Sequence, residues 1–269
     1  MIKLYNSANL IRKKSYILTV IAVCCLFIFY GSKNAYALDI TAGATSWCAL
    51  GEQKSAGADY DTVMESDPAL LFGPTMSVKL SKNFNLTFVC LYGKFSYKDK
   101  DDVSPKFKSK RSDADLALNY RLNNYFKIFA GMKYLSFDMT QVEYTNGSDT
   151  SVNDGKHEFL GCGLGLSATY PIAVNLFLLA TLSGFSGWGS EKVDVRGLKN
   201  FSFDAGINDY GINSNLSIAY YIASASTSIS LGGRFQYFKT KYEEDNFFPV
   251  TIKNRIYGIT LSAAYSFNI

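Results

Sequence analysis

Over the stretch Tyr257–Ile269 large or apolar side chains alternate without a break with small or polar ones. Tyr257, Ile259, Leu261, Ala263, Tyr265, Phe267 and Ile269 fall on one face, and Gly258, Thr260, Ser262, Ala264, Ser266 and Asn268 on the other. A period of two over that length predicts a strand with one apolar side. Aromatic residues near its end, on that side, suit a membrane interface better than a soluble core. The same test predicts strands over 39–51, 69–80, 84–97, 112–122, 125–140, 156–170, 174–188, 202–221 and 226–241, with the last over 250–269. That is about ten segments, each long enough to cross a bilayer as a tilted strand of roughly 9 to 11 residues; eight and twelve are the alternative counts.

The connections alternate in character. Ser81-Lys82-Asn83, Leu122-Asn123-Asn124, Pro171-Ile172-Ala173 and Ile222-Ala223-Ser224-Ala225 are short, whereas 52–68, 98–111, 143–155, 189–200 and 243–249 are longer and polar. Short turns at one end and long loops at the other are the arrangement of a membrane barrel, and a soluble sandwich has no reason to sort its loops so. The predicted fold class is therefore all-β: a transmembrane antiparallel up-and-down β-barrel over residues 38–269.

Parity along neighbouring strands fixes a register. Ala114, Leu116, Leu118, Tyr120 and Leu122 face one way, as do Phe126, Ile128, Ala130, Met132 and Tyr134 in the next strand. Keeping like faces together pairs Leu122 with Phe126, because a two-residue Asn-Asn turn would mix the faces. That register puts Asp115 opposite Lys133 and predicts an inward ion pair. The candidate lumen residues are Lys79, Asp113, Asp115, Arg121, Lys127, Lys133, Arg234 and Gln236, with Asn85, Asn213 and Asn215 beside them. Two aromatic belts are expected on the outside, Phe84, Tyr120, Tyr170, Tyr220 and Tyr265 at one rim and Trp47, Tyr92, Tyr134, Trp188 and Tyr237 near the other.

The N-terminus departs from this pattern. Arg12, Lys13 and Lys14 precede an apolar run of about 15 residues from Tyr16 to Tyr30, and a polar segment ends in Ala35-Tyr36-Ala37. That order predicts a secretory signal peptide over 1–37, cleaved after Ala37; the apolar run is shorter than a spanning helix needs. Removing it changes the charge balance. Five of the 27 Lys and Arg lie in that segment, so 22 remain against 23 Asp and Glu, a net charge near −1 that gives a nucleic-acid partner no support.

Candidate chemistry is sparse. Cys48, Cys90 and Cys162 lie on the apolar sides of separate strands, so no disulfide or metal site is expected from them. His157 is the only histidine; at a loop-to-strand junction it reads as an exposed rim residue, since Glu158 points to the opposite face and no Ser lies within two residues. No catalytic residue, cofactor or metal ligand is predicted. The run Lys98–Arg111 reads as a charged surface loop whose Lys106, Lys108, Lys110 and Arg111 suit lipopolysaccharide phosphates. Gly161, Gly163 and Gly165 alternate with Cys162 and Leu164 within a strand, leaving inward room for a bulky group close to the wall.

Signal peptide, alternating strands, asymmetric connections and aromatic terminal strand together resemble small bacterial outer-membrane β-barrel proteins of the general type. The resemblance covers the whole chain after the signal and brings no catalytic motif. It implies residence in the outer membrane of a Gram-negative bacterium, contact with its lipid and lipopolysaccharide, and recognition by the assembly machinery through Tyr265, Phe267 and Ile269. Such barrels typically end on Phe or Trp, whereas this chain ends Phe267-Asn268-Ile269. The function expected is non-enzymatic, serving envelope structure with a narrow pore for small solutes. The alternatives are a surface-binding or adhesion protein acting through its loops, or a barrel enzyme on lipid or peptide. An omptin-type protease would require a His-Asp pair together with an Asp pair.

Overall fold

A computed structural model describes residues 39–56, 61–99, 107–146, 149–196, 201–242 and 251–268. The expected signal peptide, Lys106, Ile269 and the segment 243–249 lie outside the described residues. Among those described, eleven strands follow in chain order: β1 (Asp39–Ala56), β2 (Asp61–Ser66), β3 (Ala69–Lys79), β4 (Phe84–Asp99), β5 (Phe107–Arg121), β6 (Phe126–Asn146), β7 (Asp149–Ala173), β8 (Leu176–Arg196), β9 (Phe201–Ile222), β10 (Thr227–Tyr242) and β11 (Thr251–Asn268). Sequential antiparallel neighbours pair from β4 to β11, and β11 pairs with β1 to close the ring. Both β2 and β3 lie between β1 and β4, parted at Asp67-Pro68, where proline has no N–H to donate. They are two halves of one stave, so the ring has the ten staves expected.

The two faces of the wall differ as the alternation requires. Leu164, Leu166, Leu182, Leu216, Ile259 and Leu261 point outward and are more than half exposed, a row of apolar surface whose cost in water would be prohibitive and whose solvent is lipid. Phe84, Tyr120, Tyr170, Tyr220 and Tyr265 ring one end, with Tyr92, Trp188, Tyr210 and Tyr257 toward the other. Trp47 is a correction: it is fully buried in the lumen, not in the outer belt. Its neighbour Cys48 is the outward residue of that pair, and adjacent strand residues cannot share a face.

Two further expectations are corrected. The turn assigned to Pro171-Ile172-Ala173 is displaced: β7 runs to Ala173 through an irregular register, and Asn175, at φ 61°, makes the bend. Asparagine tolerates that left-handed backbone, whereas Pro171 with its fixed φ does not. The polar stretches assigned to loops are largely strand. β6 and β7 stay paired out to Asn146 and Asp149, and β8 and β9 out to Val195 and Phe201. Beyond the bilayer no lipid demands an apolar face, so alternation fades while the hydrogen-bonded ladder continues.

Close approach of backbones marks the seam. A Cβ on Gly43 would lie 2.0 Å from the Ala263 carbonyl oxygen, and one on Gly258 1.9 Å from that of Cys48. Thr41 to Ser266 (3.1 Å) and Thr45 to Ser262 (3.0 Å) hydrogen bonds join the same two strands across the lumen face.

Candidate functional site

The residues most able to do chemistry meet inside the barrel. On β5, Arg111, Asp113 and Asp115 share the inward parity, and their cross-strand partners on β6 are Phe137, Leu135 and Lys133. Lys133 donates to Asp113 (2.7 Å) and to Asp115 (2.9 Å), while Arg111 donates to Asp113 (2.8 Å) and to Gln236. Arg234 completes the cluster from β10, at 3.5 Å from Asp113 and 3.4 Å from Asp115. Two aromatic faces support the guanidinium groups: Arg234 lies 4.6 Å over Trp47, and Arg111 4.9 Å over Phe137. Burial of such charges is tolerated only when each is paired and hydrogen-bonded, and Arg111, Asp113 and Lys133 are all buried.

A second cluster is made by three strands. The His157 ring on β7 sets Nε2 2.9 Å from Asp209 Oδ2 on β9 and Nδ1 3.3 Å from Glu191 Oε2 on β8. All three side chains are buried. A neutral imidazole carries one N–H and would turn a lone pair on one carboxylate, whereas imidazolium donates to both. Charge counting agrees. Three cations and two carboxylates leave the first cluster at +1, and a protonated His157 leaves the second at −1, so the two balance across the Phe137 ring that touches both Arg111 and His157.

These clusters and the apolar residues around them fill the outer half of the lumen. Trp47, Leu71, Leu91, Phe95, Phe159 and Phe238 pack there with essentially no exposure. The free space beside His157 and Glu191 is about 30 Å³, the volume of a single water. Toward the short turns the interior opens into a cavity of about 400 Å³ beneath Asp115, Lys133 and Arg234, walled by hydroxyl and amide side chains together with the apolar Val89, Phe129 and Phe185. The inward glycines make room for rings in this wall: a Cβ on Gly161 would meet Phe159, and one on Gly165 would meet Phe129.

The sequence-predicted lumen residues fall as follows. Asp113, Asp115, Lys133, Arg234 and Gln236 converge in the network. Lys79, Arg121 and Lys127 lie apart from it at the mouth formed by the short turns, with Lys79 bonded to Asp39. Arg111, assigned to a surface loop, is a fully buried member of the network, because β5 begins at Phe107 and parity with Asp113 turns it inward. Lys108 and Lys110 occupy the same strand extension and are exposed on its other face. His157, expected at an exposed rim, is buried with its two carboxylates. Glu191 and Asp209 were missed, although their parity was readable: Trp188 and Tyr210 point outward, so Glu191, three residues on, and the adjacent Asp209 point inward.

The fold has solved counterparts. The outer membrane protease OmpT of Escherichia coli superposes with a TM-score of 0.54 at 12% identity, over 88% of this chain and 100% of that one. The translocator domain of the autotransporter NalP from Neisseria meningitidis gives 0.43 at 7% identity, over 94% and 97%. The toluene transporter TodX of Pseudomonas putida gives 0.37 at 9%, over 90% and 92%. No protein-family model and no curated protein matches the sequence. Closed ring, apolar belt and aromatic rims are those of a β-barrel of the bacterial outer membrane.

Proposed function

We propose that this protein is a non-enzymatic barrel of envelope structure whose lumen is held shut at its outer half. The observation that supports this reading is the ion network itself: Arg111, Asp113 and Lys133 are buried side by side among packed aromatic and aliphatic residues. A catalytic reading has the right residue types, a His157–Asp209 pair and an Asp113/Asp115 pair. Its geometry is unfavourable, since both imidazole nitrogens and the Asp pair are already engaged by opposite charges and the adjoining space admits no peptide or acyl chain. Planar-bilayer recording tests the proposal. Wild-type barrels should give no steady conductance, and Lys133→Ala together with Arg111→Ala should open the lumen; a steady wild-type current would refute a shut lumen.

A second reading rests on the strands that continue past the outer aromatic belt. Lys94 and Lys110 face each other across β4 and β5 one step beyond Tyr92, on the outward side, where lipopolysaccharide phosphates would lie. A surface-binding role would place ligand contact on these extensions. Deletion within 100–106 tests it, because removing the whole 98–111 stretch would also take away Arg111 and the strand that carries it.

A further inference from the structure

One row of inward residues runs through consecutive strands: Arg234, Asn215, Thr181, Ser167, Lys127 and Arg121 are register partners in that order from β10 to β5. Strands of a barrel are tilted to its axis, so such a row is inclined and links different depths. This one starts at the ion network and ends at the mouth formed by the short turns. Its first four members line the 400 Å³ cavity, and its last two line the mouth.

The ends of the row are cationic. Arg121 lies directly opposite Lys127, a like-charge pair that is unfavourable in itself. Neither makes an ion pair among the described residues. At the upper end, Asp113 and Asp115 are bonded to Arg111 and Lys133 at 2.7 to 2.9 Å, whereas Arg234 makes longer contacts of 3.4 and 3.5 Å and is the least tightly held of the three cations. The interval carries hydroxyls and an amide beside the apolar Phe129 and Phe185, and the volume lies within the usual range for small-ligand sites.

We infer that the periplasmic half of the lumen is a binding chamber for a small soluble oxyanion, a phosphate- or carboxylate-bearing polar solute that enters past Arg121 and Lys127 and docks under Arg234. Guanidinium and ammonium groups flanking a row of neutral donors fit that ligand chemistry and disfavour cations. The inference does not depend on the outer half opening, because the chamber is reached from the periplasmic mouth.

Trp47, stacked on Arg234, is a built-in reporter, and the chain has only one other tryptophan. The full barrel, refolded in neutral detergent with Trp188→Phe, would be titrated at constant ionic strength with inorganic phosphate, glucose 6-phosphate and glucose. The expected result is a saturable change in Trp47 emission with both phosphates, none with glucose, and binding about tenfold weaker in Arg234→Gln and in Lys127→Gln, the effect of losing one charge-assisted contact. Arg234→Gln leaves each carboxylate a cation and Lys127→Gln lies at the mouth, so both should fold; heat-modifiable migration on gels verifies this, and calorimetry of phosphate binding provides a second readout. Absence of saturable binding by both methods, or unchanged affinity in either variant, overturns the inference. So does a response confined to short-chain phosphatidylglycerol, which would make the mouth a lipid-headgroup contact and the chamber empty of function.

Discussion

The two halves of the lumen are built from the same alternating strands and solve opposite problems. Toward the outside, inward positions carry Arg111, Asp113, Lys133, His157, Glu191 and Asp209 among large rings, and nothing the size of a solute remains between them. Toward the short turns, inward positions are mostly Ser, Thr, Asn and Gly, with Val89 and Phe129 among them and Arg121 and Lys127 at the mouth, and a cavity remains. A barrel of ten staves lies between the size that side chains fill and the size that stays open, so side-chain volume decides each half separately. The wall supplies closure and stability everywhere; paired, buried charge is concentrated where the lumen is shut.

Substitutions sharpen that contrast. The largest effect is expected for Lys133→Met, which removes the nearest cation from the buried Asp113 and the partly exposed Asp115; breaking a buried pair in this way costs roughly 3 to 5 kcal/mol, read as the urea midpoint of Trp fluorescence in detergent. A loss below about 1 kcal/mol, the worth of an exposed pair, would mean the network is wetter than its burial implies. Next comes His157→Ala, which strands Glu191 against Asp209 and should cost about 2 to 4 kcal/mol. Adding Glu191→Gln and Asp209→Asn to it should recover most of that loss, and failure to recover would argue against imidazolium. At the seam, Gly258→Val forces a side chain against the Cys48 carbonyl and should cost about 1 to 3 kcal/mol. In the periplasmic half, Thr181→Val should change stability by no more than roughly 0.5 kcal/mol, since it fills no packed site. A large loss there would erase the distinction between the halves.

Period-two alternation made the ring readable, because lipid outside and side chains inside impose it on every stave. The Asp115–Lys133 register could be read too, since Leu122 and Phe126 had to share a face and only one offset permits that. What escaped has definite causes. Arg111 sits in a run of charges that resembles a solvated loop, and only the position of the first β5 residue shows that it turns inward. Trp47 was drawn to the outer belt by its residue type against the parity of Cys48. The carboxylates around His157 lie 34 and 52 residues away along the chain, beyond any local spacing signal. A cluster assembled by closure has no linear motif.

The small seam residues also bear on how the barrel comes together. Thr41 and Ser266 are separated by 225 positions in the chain, so joining β1 to β11 carries the greatest loop-closure entropy of any strand pairing in the molecule. Contacts of such sequence separation form late and slowly. Apart from the buried Trp47 and Ile256, the inward faces of these two strands are mostly glycine, serine, threonine and alanine, which have few rotamers to fix, so the final zippering of the ring gives up little side-chain freedom. The last step of folding is thereby limited by bringing the two edges together rather than by repacking what lies between them.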